Sequence, residues 1–232
     1  MTDPSPRVVI LAGPNGAGKT TSSRPILAET LGIRTFVNAD TIAQGLSGFG
    51  PETVAVEAGR IMLDRLRNLA NQRVDFAFET TLSGRSYANW IRKFQQIGYR
   101  VHLFYFRLNH PDLAVARVAE RVRAGGHHIP EVTIRQRWQR SLDNLDRLYA
   151  PLVDSCRVFD NSGVAYVDTS TNDSMIHALR STSRVTLLSH ACIGNPIAIS
   201  RDGKIVMLSP NEIFALGSPT DQPSDFPKLP SV

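Results

Sequence analysis

The 232-residue sequence predicts an α/β protein, a three-layer α/β/α fold with a mostly parallel central sheet. Three observations carry that expectation. Short apolar runs rich in Val, Ile and Phe recur along the first 168 residues, and segments of helical period separate them. A glycine-rich turn of fixed spacing joins the first run to the first helical segment.

Taken in order, residues 7–12 read Arg-Val-Val-Ile-Leu-Ala and end at glycine, the pattern of a strand buried on both faces. Similar runs at 34–38, 74–78, 99–106 and 164–168 supply the other expected strands. Between them, 52–72 sets Val56, Gly59, Ile61, Leu63, Leu66 and Leu69 on one broad face, with Arg60, Asp64, Arg67 and Gln72 elsewhere. Helices are also expected at 86–97, 111–124 and 130–148, with Pro111 and Pro130 near helix starts, where a missing N–H costs little. Further on, 184–188 is a short apolar run, and 196–208 reads as a hairpin turning at Asp202-Gly203. From Gly217 a polar, Pro-punctuated tail is expected to be disordered. The expected organisation is one domain over 1–180, a hairpin extension over 181–216 and the tail over 217–232.

Hydrophobic residues make up 42% and charged residues 20%, ordinary values for a globular chain able to build one substantial core. The net charge of +5 suits polyanionic partners in general: nucleotides, nucleic acid or a membrane surface. Lys is confined to Lys19, Lys93, Lys204 and Lys228, so the basic charge is mostly Arg, the residue suited to bidentate phosphate contacts. No apolar run approaches the ~20 residues a spanning helix needs, and the first residues lack a basic then apolar leader pattern. Cys156 and Cys192 show no metal-ligand or CxxC spacing, and a reducing cytoplasm is the expected setting. No membrane partner is expected.

Gly13-Pro14-Asn15-Gly16-Ala17-Gly18-Lys19-Thr20 fits G-x-x-x-x-G-K-[ST] between a strand and a helical segment. There the glycines let backbone N–H groups wrap phosphates, and the following helix adds its positive end. Lys19 is expected to neutralise the β and γ phosphates of ATP, and the Thr20 hydroxyl to bind Mg²⁺. A glycine turn that closes a βα unit without any ligand is the alternative.

Asp40 follows the second expected strand, where a carboxylate can accept an acceptor's proton or hold Mg²⁺ through water. It is equally a candidate helix N-cap. Glu79 closes the third strand, with Thr80, Thr81 and Ser83 adding hydroxyls beside it, and either contacts Mg²⁺, binds substrate or pairs with an arginine. Arg117, Arg121, Arg123, Arg135, Arg137 and Arg140 flank Gly125-Gly126-His127-His128-Ile129-Pro130, the pattern of an Arg-rich helical lid. Arg121 or Arg123, with Arg135 or Arg137, are the candidates to stabilise transferring charge. His127 and His128 read as loop residues.

These residues together, Gly13 through Thr20 and Thr21, Val37-Asn38-Ala39-Asp40, Phe78-Glu79-Thr80-Thr81-Leu82, the Gly-Gly-His lid and Phe159-Asp160-Asn161-Ser162, resemble the zeta toxin family over roughly residues 7–168. The resemblance implies a P-loop NTPase fold of kinase type and ATP-dependent phosphorylation of a nucleotide sugar, UDP-N-acetylglucosamine. It implies that Lys19 contacts the ATP phosphates, Asp40 is the base, Glu79 and Thr81 hold the sugar nucleotide, lid arginines serve the transition state and Asn161 lies near adenine. It also makes a neutralising antitoxin a candidate partner. The stretch Ala39-Asp-Thr-Ile-Ala-Gln departs from the Gly-Asp-Ser-Phe-Arg type of the toxic members and looks like a broader branch of ATPases. Two other functions compete: a nucleotide-dependent switch or ATPase with no acceptor, and a nucleic-acid-end kinase. The second lacks an interleaved aromatic and basic platform.

Overall fold

The computed structural model describes residues 5–48, 50–163 and 196–215. Among them, β1 (Arg7–Ala12), β2 (Phe36–Val37), β3 (Phe76–Thr80), β4 (Arg100–Arg107) and β5 (Ser155–Asp160) form one sheet in the order β2-β3-β1-β4-β5. Every pairing in it is parallel. The helices are α1 (Lys19–Arg24), α2 (Ala39–Leu46), α3 (Ala55–Asn71), α4 (Tyr87–Gln96), α5 (Pro111–Arg123) and α6 (Glu131–Asn144). An antiparallel hairpin of β6 (Ile197–Arg201) and β7 (Lys204–Leu208), then a short helix α7 (Pro210–Ala215), complete the described chain.

Alternation along the strands explains the three layers. Val8, Ile10, Phe76, Phe78, Val101 and Leu103 point to one side of the sheet, where α3 and α4 supply Met62, Leu66, Ile91 and Phe94. Val9, Leu11, Ala77, Phe104 and Phe106 point to the other, against Ile26, Leu113, Val118 and Ile134. Both sides of β1 are therefore buried, which is why its sequence is a continuous apolar run rather than an alternating one. In α3 the buried face is Ala58, Met62, Leu66, Leu69 and Ala70, while the expected core positions Val56 and Ile61 are exposed. The stripe through Ala58, Met62, Leu66 and Leu69 faces the sheet, and Val56 and Ile61 lie on the neighbouring stripe.

The fifth strand of the sheet is Ser155–Asp160, a segment not among the expected strands, and the expected strand at 164–168 lies outside the described residues. It is an edge strand whose Phe159 alone is fully buried, so it carries no apolar run to announce it. The runs at 184–188 and the tail from 217 also lie outside the described residues. At the hairpin, Asp202 and Gly203 both take positive φ, 51° and 73°, the pair of angles a tight two-residue turn between twisted strands requires. The hairpin does not stand apart. Ser200 N–H donates to the Ser162 carbonyl at 2.7 Å, Asn109 Nδ2 donates to Ser200 Oγ at 2.8 Å, and Ala198 is buried in the same core as α5. Among the described residues no helix is long and apolar enough to cross a membrane.

Candidate active site

The carboxyl edge of the sheet holds the site, because there the chain leaves each parallel strand and successive loops meet. Leaving β1, Gly13 adopts φ 140°, and a Cβ on it would lie 2.3 Å from the Phe106 carbonyl oxygen of β4. Gly16, at φ 76°, passes so close under α5 that a Cβ would approach Ala114 and Arg117 to about 3 Å. The turn is thus built for backbone to pass where no side chain fits. Gly18 ends it, and α1 begins without a side-chain cap, so its N–H groups stay available to an anion.

Lys19 is buried and folded back over the turn, its Nζ donating to the Gly13 carbonyl at 2.8 Å and the Pro14 carbonyl at 2.9 Å. Burial lowers its pKa from the ordinary lysine value, against Glu79 and Asp40, which act to raise it. Parallel pairing of β1 with β3 sets Leu11 beside Glu79 and brings that carboxylate to the mouth of the turn. There Thr20 Oγ1 donates to Glu79 Oε2 at 2.8 Å, Asn38 Nδ2 donates to the same oxygen at 2.9 Å, and Lys19 Nζ stands 3.8 Å from Oε1. Glu79 is therefore a hub joining the ends of β2 and β3 to the glycine turn.

Asn38 also settles the competing role considered for Asp40. Its Oδ1 accepts from the N–H groups of Asp40 and Thr41 at 2.7 and 3.4 Å, so Asn38, not Asp40, is the N-cap of α2. Asp40 sits in the first turn with its carboxylate exposed to the cleft. The loop after β3 is held from α6: Ser141 Oγ donates to the Thr81 carbonyl at 2.6 Å and Asn144 Nδ2 to the Leu82 carbonyl at 2.8 Å. Tyr149 OH adds a bond to the Gly84 carbonyl at 2.6 Å. Tyr105 donates to Ser141 at 2.8 Å, since that hydroxyl's proton is already engaged, and burial pushes the Tyr105 phenol up to about 12. This grip holds Leu82 at φ 53°, an uncommon angle for leucine, with its side chain fully buried. Thr81 and Ser83 hydroxyls, 2.8 Å apart, then face the cleft.

The cleft has a volume of about 760 Å³, ample for a nucleotide and a small second molecule. Of the six arginines around the lid, Arg117, Arg121 and Arg137 line it. Arg123 is exposed and outside the lining, Arg135 pairs with Asp112 and Glu131, and Arg140 bonds to Gln136. Arg117 and Arg121 share a face because they are four apart on α5. Arg121 donates to the His127 carbonyl at 3.0 Å, and Gly126 packs so tightly on it that a Cβ would lie 2.6 Å from Arg121 Cγ. Asn161 Nδ2 donates to the Ala17 carbonyl at 2.8 Å, so the expected base-side residue anchors the glycine turn. Sequence reasoning gives no site role to Asn38, Glu120, Tyr87, Met62 or Ile197, all of which border the cleft. Only Asn38 carries a signal, as a capping residue ahead of a helix.

A parallel sheet ordered 2-3-1-4-5, a phosphate-type glycine turn after β1, a carboxylate at the end of the adjoining β3 and an arginine-bearing lid define a P-loop kinase-like α/β domain. The chain belongs to the AAA domain family AAA_33, whose model matches residues 8–148. An uncharacterized protein of Haemophilus influenzae is 30% identical over 132 residues, covering 57% of this chain and 92% of that protein. Among solved structures, one from the PezAT chromosomal toxin-antitoxin system of Streptococcus pneumoniae matches with a TM-score of 0.57 at 17% identity, over 78% of this chain and 80% of that one. A candidate kinase from Chloroflexus aurantiacus matches with a TM-score of 0.53 at 16% identity, over 80% and 97%. The complex of AvrRxo1-ORF1 and AvrRxo1-ORF2 with ATP matches with a TM-score of 0.54 at 20% identity, over 70% and 57%. At these identities the likeness is one of fold.

Proposed function

We propose that this chain is an ATP-dependent phosphotransferase that moves the γ-phosphoryl group of ATP to a hydroxyl of a small molecule. The observation that carries the reading is the convergence of Thr20, Asn38 and Lys19 on the single carboxylate of Glu79, with Asp40 facing the same cleft.

In this reading the triphosphate takes the place of the Gly13 and Pro14 carbonyls as partner of Lys19, while N–H groups from Asn15 to Thr21 surround its oxygens. Asp40 accepts the proton of the acceptor hydroxyl. The acceptor oxygen then bonds to the γ-phosphorus as the bridging bond to ADP breaks. Arg121 and Arg137 offset charge on the equatorial oxygens, and Arg123, outside the cleft lining, drops from the set. The donor set fits a magnesium ion: a hydroxyl and a carboxylate 2.8 Å apart beside the glycine turn are oxygen donors of the kind that ion takes together with phosphate oxygens. Thr20 and Glu79 would hold it, and when bound it neutralises charge on the β and γ oxygens.

The finer reading follows the resemblance: a zeta-toxin-type kinase whose acceptor is a nucleotide sugar such as UDP-N-acetylglucosamine, held by Glu79 and Thr81, and whose partner is an antitoxin covering the cleft. The likeness to the PezAT toxin-antitoxin system supports that direction at the level of fold. Residues 1–180 are read as the catalytic unit, with 181–216 as an attached extension and 217–232 as a tail.

The test is to incubate the protein with ATP and Mg²⁺, with and without UDP-N-acetylglucosamine, following ADP and phosphosugar by mass for the parent, Asp40→Asn and Lys19→Ala. Phosphosugar formed by the parent and lost in both variants supports the full reading. ADP release indifferent to the sugar and to Asp40, yet lost in Lys19→Ala, leaves an ATPase and ends the sugar-kinase reading.

A further inference from the structure

Three buried side-chain polar atoms among the described residues have no hydrogen-bond partner: Asn15 Oδ1, Glu120 Oε1 and Arg121 Nε. All three residues border the large cleft at the carboxyl edge of the sheet. Folded proteins seldom leave such atoms unpaired, because each costs the full desolvation of the group. Asn15 and Arg121 have an account in the triphosphate, which the glycine turn and the lid arginine would meet. Glu120 does not, since a carboxylate repels phosphate. Glu120 is 9% exposed, the Ala198 backbone N–H acts to lower its carboxyl pKa, and its Oε1 is buried without a partner in a residue that borders the cleft.

Sheet order says which end of the nucleotide lies there. Asp40 and Glu79 leave from β2 and β3, on one side of the glycine turn of β1, so the transferring γ-phosphate points that way. The nucleoside must then extend to the other side, over β4 and β5, where neighbouring strands lie about 4.8 Å apart. That end of the cleft is walled by Arg117 and Glu120 of α5, by Gly163 and by Ile197 of the hairpin. The hairpin is fixed there by Arg117 Nε, which donates to the Ala198 carbonyl at 3.1 Å, as well as by its bonds to Ser162 and Asn109. It lies beyond the family match, which ends at residue 148.

We infer that the β6–β7 hairpin builds the nucleobase subsite of this protein: the base packs against Ile197 and Arg117, and the buried, unpartnered Oε1 of Glu120 accepts a hydrogen bond from the amino group at the base edge. The inference rests on the reading that a nucleoside triphosphate occupies the glycine turn. Burial pushes the Glu120 carboxyl up to about 7, with the Ala198 N–H, Arg117 and Arg123 opposing, so a donor brought by the base favours the charged form that accepts it.

The test compares affinities by calorimetry on the full chain for ATP, N6,N6-dimethyl-ATP and inorganic tripolyphosphate, the last having phosphates but no base. The parent should prefer ATP to tripolyphosphate at least a hundredfold and ATP to the dimethyl analogue about tenfold. Ile197→Asp should cut the first preference at least tenfold, and Glu120→Ala should abolish the second. Tripolyphosphate binding by each variant shows that it is folded. An unaltered preference for ATP in both variants overturns the inference. If neither ATP nor tripolyphosphate binds the parent, the nucleotide reading itself has failed, and that outcome is distinct because no variant is needed to see it.

Discussion

Glu79 accepts from Thr20 and Asn38 and pairs with Lys19, and on the proposed function its negative charge, rather than its shape, is what a magnesium ion would need. Glu79→Gln keeps an oxygen for Thr20 and Asn38 but removes that charge. On the proposed function its kcat should fall by about 10²–10³, the size of losses at comparable electrostatic groups, with little change in thermal stability. Steady-state ATP turnover checks this, and a loss under threefold would remove Glu79 from the chemistry. Glu120 makes a different prediction, about stability. Its carboxyl is held up to about 7 by burial against an ordinary 4.5, so between those pH values the folded chain keeps a proton that the unfolded chain has released. The folded state is therefore favoured at the acid end of that window and loses stability as pH rises through it, by up to about 3 kcal/mol for a shift of this size. Urea unfolding at pH 5 and pH 8 should show that loss in the parent and not in Glu120→Gln, and equal slopes would contradict it.

Elements fix how well these residues are aimed. The loop after β3 depends on α6 and the turn that follows it, through Ser141, Asn144 and Tyr149. Tyr149→Phe leaves the Gly84 carbonyl without its partner, which should cost about 1–3 kcal/mol and raise the KM for the acceptor more than that for ATP. Chemical denaturation and paired KM measurements test the two halves of this prediction. At the hairpin, Gly203 has open space around its missing Cβ, so Gly203→Ala meets only the backbone cost of a positive φ, about 1 kcal/mol. The element list was largely legible in the sequence because β1, β3 and β4 are continuous apolar runs and α3 to α6 carry a helical period. β5 was not, since an edge strand with one fully buried side chain has no periodic signature. The buried face of α3 was misread for a related reason: period alone does not say which of two adjacent apolar stripes meets the sheet.

At the scale of the whole molecule, the site is a product of strand order. The conformation of the glycine turn was legible because its glycines stand in eight consecutive residues, and the placement of Asp40, Glu79 and Thr81 at the cleft because loops after parallel strands gather at one edge. The bond between Thr20 and Glu79 was not, because it spans 59 residues and exists only through the parallel register of β1 with β3. The approach of the hairpin to α5 was still less legible, resting on hydrogen bonds such as that from Arg117 to Ala198 across 81 residues. Which lid arginines enter the cleft depended on helix phase, and the structure separates Arg117, Arg121 and Arg137 from Arg123, Arg135 and Arg140 on that ground.

On the proposed function a phosphoryl group passes from ATP to a hydroxyl acceptor with Asp40 as base. The most direct test supplies ATP carrying ¹⁸O in the γ-phosphoryl group to the protein with Mg²⁺ and a mixture of small metabolites, then follows the label by mass. A heavy phosphate ester should form in the parent reaction and be missing with Asp40→Asn. Label appearing only in inorganic phosphate, at equal rates in parent and Asp40→Asn, would contradict it.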